Sequence, residues 1–247
     1  METSVHEIAP RIYRLSTYFA DVMPGGFSFN QFLVDADQPL LFHCGMRGLF
    51  PLVSAAASRI VPLERLRWIS FGHVEADESG AMNDWLAAAP DAQVLHGEVA
   101  CMVSLNDLAD RPPRALAHGA RLDLGDRRVH LLCTPHVPHA WESIVLFEEI
   151  TRTLFCGDLF SHAGNGPPIT EKSIVGAAMD LEHAFPGGTA LTPATSPTLR
   201  SLAKLHPQTL AVMHGSSYRG DCAAELRALA NGYERMFDVA RAAEPDE

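Results

Sequence analysis

The runs 66–71, 153–156 and 209–213 are short and mostly apolar, and each gives out beside a side chain able to bind a metal: His73, Asp158 and His214. Runs of this length bounded by turn-forming residues read as buried strands. Such strands must lie side by side to cover their faces, which brings their polar ends to one rim. Helix-like stretches precede or separate them, at 47–60, 81–88, 99–108 and 196–204, and strands alternating with helices make an α/β fold the expectation.

The remaining pattern fills in that frame. Residues 12–15, 27–34 and 40–43 read as antiparallel strands, with Asp35-Ala36-Asp37-Gln38-Pro39 as a turn. Residues 93–95, 121–124, 128–133 and 143–147 read as further strands, and Gly125-Asp126 is a hairpin signal. The segment 161–197 is rich in Gly, Pro, Ser and Thr and reads as a long functional loop with about one helical turn, able to cover a site. Residues 222–240 read as an amphipathic C-terminal helix. With 247 residues, 47% of them hydrophobic, the chain suits one large domain spanning 1–247.

Composition excludes several partners. A formal net charge of −11 opposes binding to a nucleic-acid backbone or an anionic membrane. The five cysteines form no C-x-x-C pair, so they read as buried thiols in a reducing, cytoplasmic compartment. No signal peptide or bilayer-spanning run is evident.

The densest chemistry lies in Phe71-Gly72-His73-Val74-Glu75-Ala76-Asp77-Glu78. If the chain stays extended there, alternation places His73, Glu75 and Asp77 on one side. His139, Asp158 and His214 also fall at strand exits. Three imidazoles and three carboxylates suffice for two metal ions, with one carboxylate bridging. A carboxylate-rich set favours iron or manganese over zinc.

The H-x-E-x-D motif with these three partners resembles the metallo-β-lactamase superfamily, and within it the flavodiiron proteins and the smaller oxygen-binding diiron proteins without a flavin domain. The resemblance runs from residues 29–34 to His214-Gly215. It implies an αββα four-layer sandwich holding two iron ions. His73, Glu75 and His139 are expected on one iron, Asp77 and His214 on the other, and Asp158 between them. His139 stands four residues before Ser143, as the family's histidine does before its serine, and His136 is the fallback. Hydrolases of the superfamily carry H-x-H-x-D-H, so Glu75 points to the diiron branch.

The chain departs from the superfamily in two places. Glu78 follows Asp77 where histidine is frequent, and His43, in Leu41-Phe42-His43-Cys44-Gly45, replaces the first residue of the usual Asp-Thr-Gly. His43 and His162 are candidates to support or border the site. Phe160 is expected to wall the pocket, and Trp141 to pack in the core. No flavin site is expected in the residues after His214.

The expected function is therefore binding of dioxygen or nitric oxide, with reduction by a separate redox protein or signalling through a partner as a sensor. A homodimer is implied by resemblance only. The rival is a binuclear hydrolase of an ester, thioester or lactone, in which paired metals activate water.

Overall fold

A computed structural model describes residues 1–242, so residues 243–247 of the expected domain lie outside the described residues. The first half builds one sheet. Strands β1 (Thr3–Ala9), β2 (Ile12–Phe19), β3 (Phe27–Val34) and β4 (Leu40–Phe42) pair antiparallel, and β5 (Trp68–Ser70), β6 (Gln93–Gly97) and β7 (Arg114–Leu116) extend the sheet in parallel.

Parallel neighbours need a crossover long enough to return the chain. Helix α1 (Phe50–Ala57) joins β4 to β5, and α2 (Ala76–Ser79) with α3 (Met82–Ala88) joins β5 to β6. Helices α4 (Glu98–Ala100) and α5 (Asn106–Leu108), continuous through a π-helical turn at Cys101–Leu105, lead to β7.

The second half builds another sheet. It contains β8 (Arg121–Asp123), β9 (Arg128–Cys133), β10 (Ile144–Glu148), β11 (Thr153–Phe155), β12 (Ile169–Thr170), β13 (Thr209–Ala211) and β14 (Ser217–Arg219), in the order β12-β14-β13-β11-β10-β9-β8. Strands β11 and β13 are parallel, separated in sequence by α6 (Val175–Ala184) and α7 (Thr195–Ala203). Helix α8 (Cys222–Ala242) packs on α7 and α6.

Three apolar layers account for the αββα stacking. Leu33, Ile69, Trp85 and Val53 join the first sheet to its helices. Phe32, Phe42, Leu146 and Phe155 fill the space between the sheets. Leu210, Leu199, Leu226 and Tyr233 join the second sheet to its helices. Strand β3 shows why: Phe29 and Leu33 face the helices while Phe32 and Val34 face the other sheet, so both faces are dry. Phe32 is fully buried, and truncating such a side chain to alanine costs about 3–5 kcal/mol.

The structure corrects the reading of 161–197. This segment holds the strand β12 and a helix, α6, of ten residues rather than a single turn. Only Ala178 of α6 is buried, so its sequence lacks a broad apolar stripe, and its Gly- and Pro-rich flanks mask it. The N-terminal strand β1 is a further element beyond those expected, and its mixed burial pattern gives no clean alternation to mark it.

Candidate metal centre

Each candidate donor is placed by a strand end. His73 follows β5, His139 lies between β9 and β10, Asp158 follows β11 and His214 follows β13. The extended arrangement expected for 71–77 is not what forms. The chain bends after Phe71, Glu75 stands at the N-cap of α2 with φ −134° and ψ 157°, and Asp77 lies in the first helical turn. Gly72 and the loop are tied down by Ile144 N–H donating to the Gly72 carbonyl and by Val74 N–H donating to Glu142 Oε1 at 3.1 Å. The bend splits the motif: His73 and Glu75 turn one way, Asp77 the other.

The first group is His73, Glu75 and His139. His73 Nε2 lies 2.6 Å from Glu75 Oε2 and 2.8 Å from His139 Nε2, and His139 Nε2 lies 3.2 Å from the same Glu75 oxygen. The second group is Asp77 and His214, 3.2 Å apart. Asp158 stands between them. Its Oδ2 is 3.6 Å from His139 and 3.9 Å from His73, and its Oδ1 is 3.2 Å from His214. One ligand atom each from His73, Glu75, His139 and Asp158 falls within 4.8 Å of the others.

The donor chemistry fits a cation. His139 Nδ1 donates to the Gly188 carbonyl at 2.7 Å, and His214 Nδ1 donates to the Ser28 carbonyl at 2.9 Å. Each neutral ring therefore aims the Nε2 lone pair at carboxylate oxygens, which is repulsive unless a proton or metal ion lies between. Asp158 Oδ1 is buried without a well-formed hydrogen bond.

The metal-free electrostatics say the same. Burial opposes a charge on His214, yet Asp158 and Asp77 raise its pKa to about 10. Burial likewise opposes a charge on His73, and Glu78 and Glu75 raise it to about 11. Glu75 raises His139, and His139 and His73 together lower Glu75 to about 2. Burial would raise Asp158, but His214 and the other imidazoles hold it well below the usual carboxylate range.

Strands β2 and β3 support the His214 turn from behind. Asn30 Nδ2 donates to the carbonyls of Val212 and Gly215, Arg14 donates to the Gly215 carbonyl, and Gly215 N–H donates to Ser28 Oγ. The His214 ring stacks on Phe27 at 4.3 Å and meets Phe29 edge-on at 5.1 Å. Gly215 has φ +101°, and a Cβ there would sit 2.3 Å from His162 Nε2, so only glycine fits.

The donors open into a cavity of about 340 Å³ whose apolar walls are Val22, Met23, Phe27, Pro138, Leu181 and Phe185. His162 is held beneath the site: its Nδ1 donates to the Phe160 carbonyl and its Nε2 accepts from Ser216 N–H. Phe160 does not wall the cavity. It is fully buried in the layer between the second sheet and its helices, and its φ of +68° turns its carbonyl toward His162. Trp141 is 55% exposed and packs in no core. His136 is exposed, leaving His139 as the histidine of this loop that reaches the donors.

Spacing alone assigns Glu78 no role. The structure places it fully buried behind His73, accepting from Gly72 N–H at 2.5 Å and His73 N–H at 2.8 Å. Its position beside Asp77 in the motif was the available signal.

An αββα sandwich of metallo-β-lactamase type with a six-donor rim is the class that this fold and site define. A family profile described as ODP family beta lactamase matches residues 27–215, and the chain belongs to that family. It is 29% identical over 154 residues to a diflavin flavoprotein A of Thermosynechococcus vestitus, covering 61% of this chain and 27% of the relative. A diflavin flavoprotein A of Nostoc is 27% identical over 141 residues, covering 56% of this chain and 24% of the relative. The aligned part thus spans about a quarter of these curated relatives.

Solved structures share the fold. A fragment of a Nostoc diflavin flavoprotein aligns at TM-score 0.80 with 16% identity over 98% of both chains. Rubredoxin oxygen:oxidoreductase of Desulfovibrio gigas aligns at TM-score 0.77 with 16% identity, covering 95% of this chain and 62% of that one.

Proposed function

We propose that the chain is a non-haem di-iron protein that binds dioxygen or nitric oxide and reduces it when a separate redox protein supplies electrons. The observation that carries this reading is the placement of Asp158, whose two oxygens face different imidazole groups across the middle of the rim. His73, Glu75 and His139 would hold one ion, Asp77 and His214 the other, with Asp158 shared. When bound, the iron pair would supply the site that takes up the diatomic ligand and passes it electrons.

The protein's own residues set the conditions. Gly188 and Ser28 fix the ring orientations of His139 and His214 through their carbonyls. Phe27, Met23 and Pro138 line the cavity with apolar surface, which limits competing water. The three carboxylates harden the donor set relative to an all-histidine site, which supports iron over zinc. Rubredoxin oxygen:oxidoreductase, by its name, passes electrons to oxygen, and an analogous donor is the partner class proposed here. No described helix is long and apolar enough to cross a membrane, and the described cysteines are all free. A cytoplasmic setting is part of the proposal.

The test begins with metal analysis of purified protein, followed by anaerobic reduction and exposure to air in an oxygen electrode. Two irons per chain, with oxygen consumption sustained by a reductant and mediator, are expected. Oxygen uptake limited to one stoichiometric step would favour a sensor, and zinc with turnover of an ester or lactone would overturn the reading.

A further inference from the structure

The chain's two departures from the superfamily pattern meet inside the protein. His43, at the end of β4, and Glu78, in α2, are both fully buried, with His43 Nε2 3.6 Å from Glu78 Oε1. The same Glu78 oxygen lies 3.4 Å from His73 Nδ1. It therefore sits on the opposite side of the His73 ring from Glu75 and His139, which face Nε2.

The surroundings are built for this carboxylate. Its Oε2 takes the backbone N–H groups of Gly72 and His73. A Cβ on Gly72 would lie 2.8 Å from Oε2, so the glycine makes the approach possible. Cys44 N–H donates to the Glu78 carbonyl, and His43 N–H donates to the Ser70 carbonyl, locking α2 against the ends of β4 and β5. On the far side, His43 Nδ1 lies 2.6 Å from Met213 Sδ and 3.3 Å from the Asn30 carbonyl. Neither Glu78 Oε1 nor His43 Nε2 makes a well-formed hydrogen bond. A buried carboxylate oxygen is costly without donors, and the two imidazoles are what this one has.

We infer that Glu78 is a positioning residue for His73, and that His43 holds Glu78 in place. The two form an imidazole and carboxylate pair with the residue types exchanged relative to the superfamily pattern. Glu78 accepts the Nδ1 proton of His73, which fixes the tautomer and turns Nε2 toward the ion, as outer carboxylates do for metal-bound histidines. The inference rests on the reading of His73 as a ligand.

The test is competitive Fe²⁺ and Co²⁺ titration of the full chain under anaerobic conditions, for the native protein, Glu78→Gln, His43→Asp, and the exchange His43→Asp with Glu78→His. Each single variant is expected to lose about 10- to 100-fold in affinity at one of the two sites, the range found for outer partners. The exchange should recover most of that loss and restore the native Co²⁺ absorption spectrum. Native affinity in Glu78→Gln, or losses that simply multiply in the double variant, would overturn the inference. Should Glu78→Gln not fold, the native zinc-loaded protein decides by NMR: an exchange-protected His73 Nδ1 proton supports the pairing, and a rapidly exchanging one refutes it. His73→Ala serves as the separate control. If it retains both ions, the ligand reading has failed rather than the pairing.

Discussion

The two ends of the donor rim are built differently. At one end, His73, Glu75 and His139 come from two bent loops, and the Glu75 and His139 side chains are 53% and 31% exposed above a buried His73. At the other, His214 is 6% exposed, stacked on Phe27 and pinned to β3 through Ser28. Asp158 belongs to both. The exposed end joins two residues of the local motif to a histidine 66 positions from His73, whereas His214 at the buried end is held by a residue 186 positions away. Stiffness and solvent access are thus divided across one rim.

Variants break this comparison in order of size. Asp158→Ala should abolish binding at both ends, a loss beyond the roughly 100-fold seen for outer partners, read as metal per chain after dialysis. His214→Ala and Glu75→Ala should each leave about one ion per chain, at opposite ends, and loss of both ions in either variant would show that the ends do not fill independently.

Gly215→Ala places a methyl group on the His162 ring at positive φ, and a fall in melting temperature of at least about 5 °C is expected by calorimetry. The pH response follows from the raised imidazoles. Burial would lower His73 and His214, yet their carboxylate neighbours lift them to about 11 and about 10 from an ordinary 6.5. Their protonated pairs stabilise the metal-free fold fully below pH 6.5, and this contribution fades as pH rises through the folded values. The metal-free melting temperature should therefore fall between pH 7 and about 10. The loaded protein, whose rings carry no such proton, should change less over the same window, and metal uptake at pH 7 should release protons. The smallest effect expected is that of Phe27→Leu, about 0.5–1.5 kcal/mol from the lost ring stack, visible in denaturant melts.

What the sequence disclosed follows the same division. His73, Glu75 and Asp77 were legible from spacing, and His139, Asp158 and His214 from the ends of apolar runs. The conformation of the motif was not, because alternation assumes an extended chain and α2 starts at Ala76. Asn30, Ser28 and Arg14 gave no sign of gripping the His214 turn, since residues of a strand say nothing about which distant carbonyl they meet. Phe160 and Trp141 were misplaced because an aromatic near a ligand can face core, cavity or water equally well in a one-dimensional pattern. Helix α6 escaped notice because it buries little of itself.

The donors are drawn from both sheets: His73, Glu75 and Asp77 hang from the first, and His139, Asp158 and His214 from the second. Any ion seated among them is a rivet through two plates. A chain nicked at the exposed stretch 117–119, between β7 of one plate and β8 of the other, should then stay assembled more tightly with metal than with chelator.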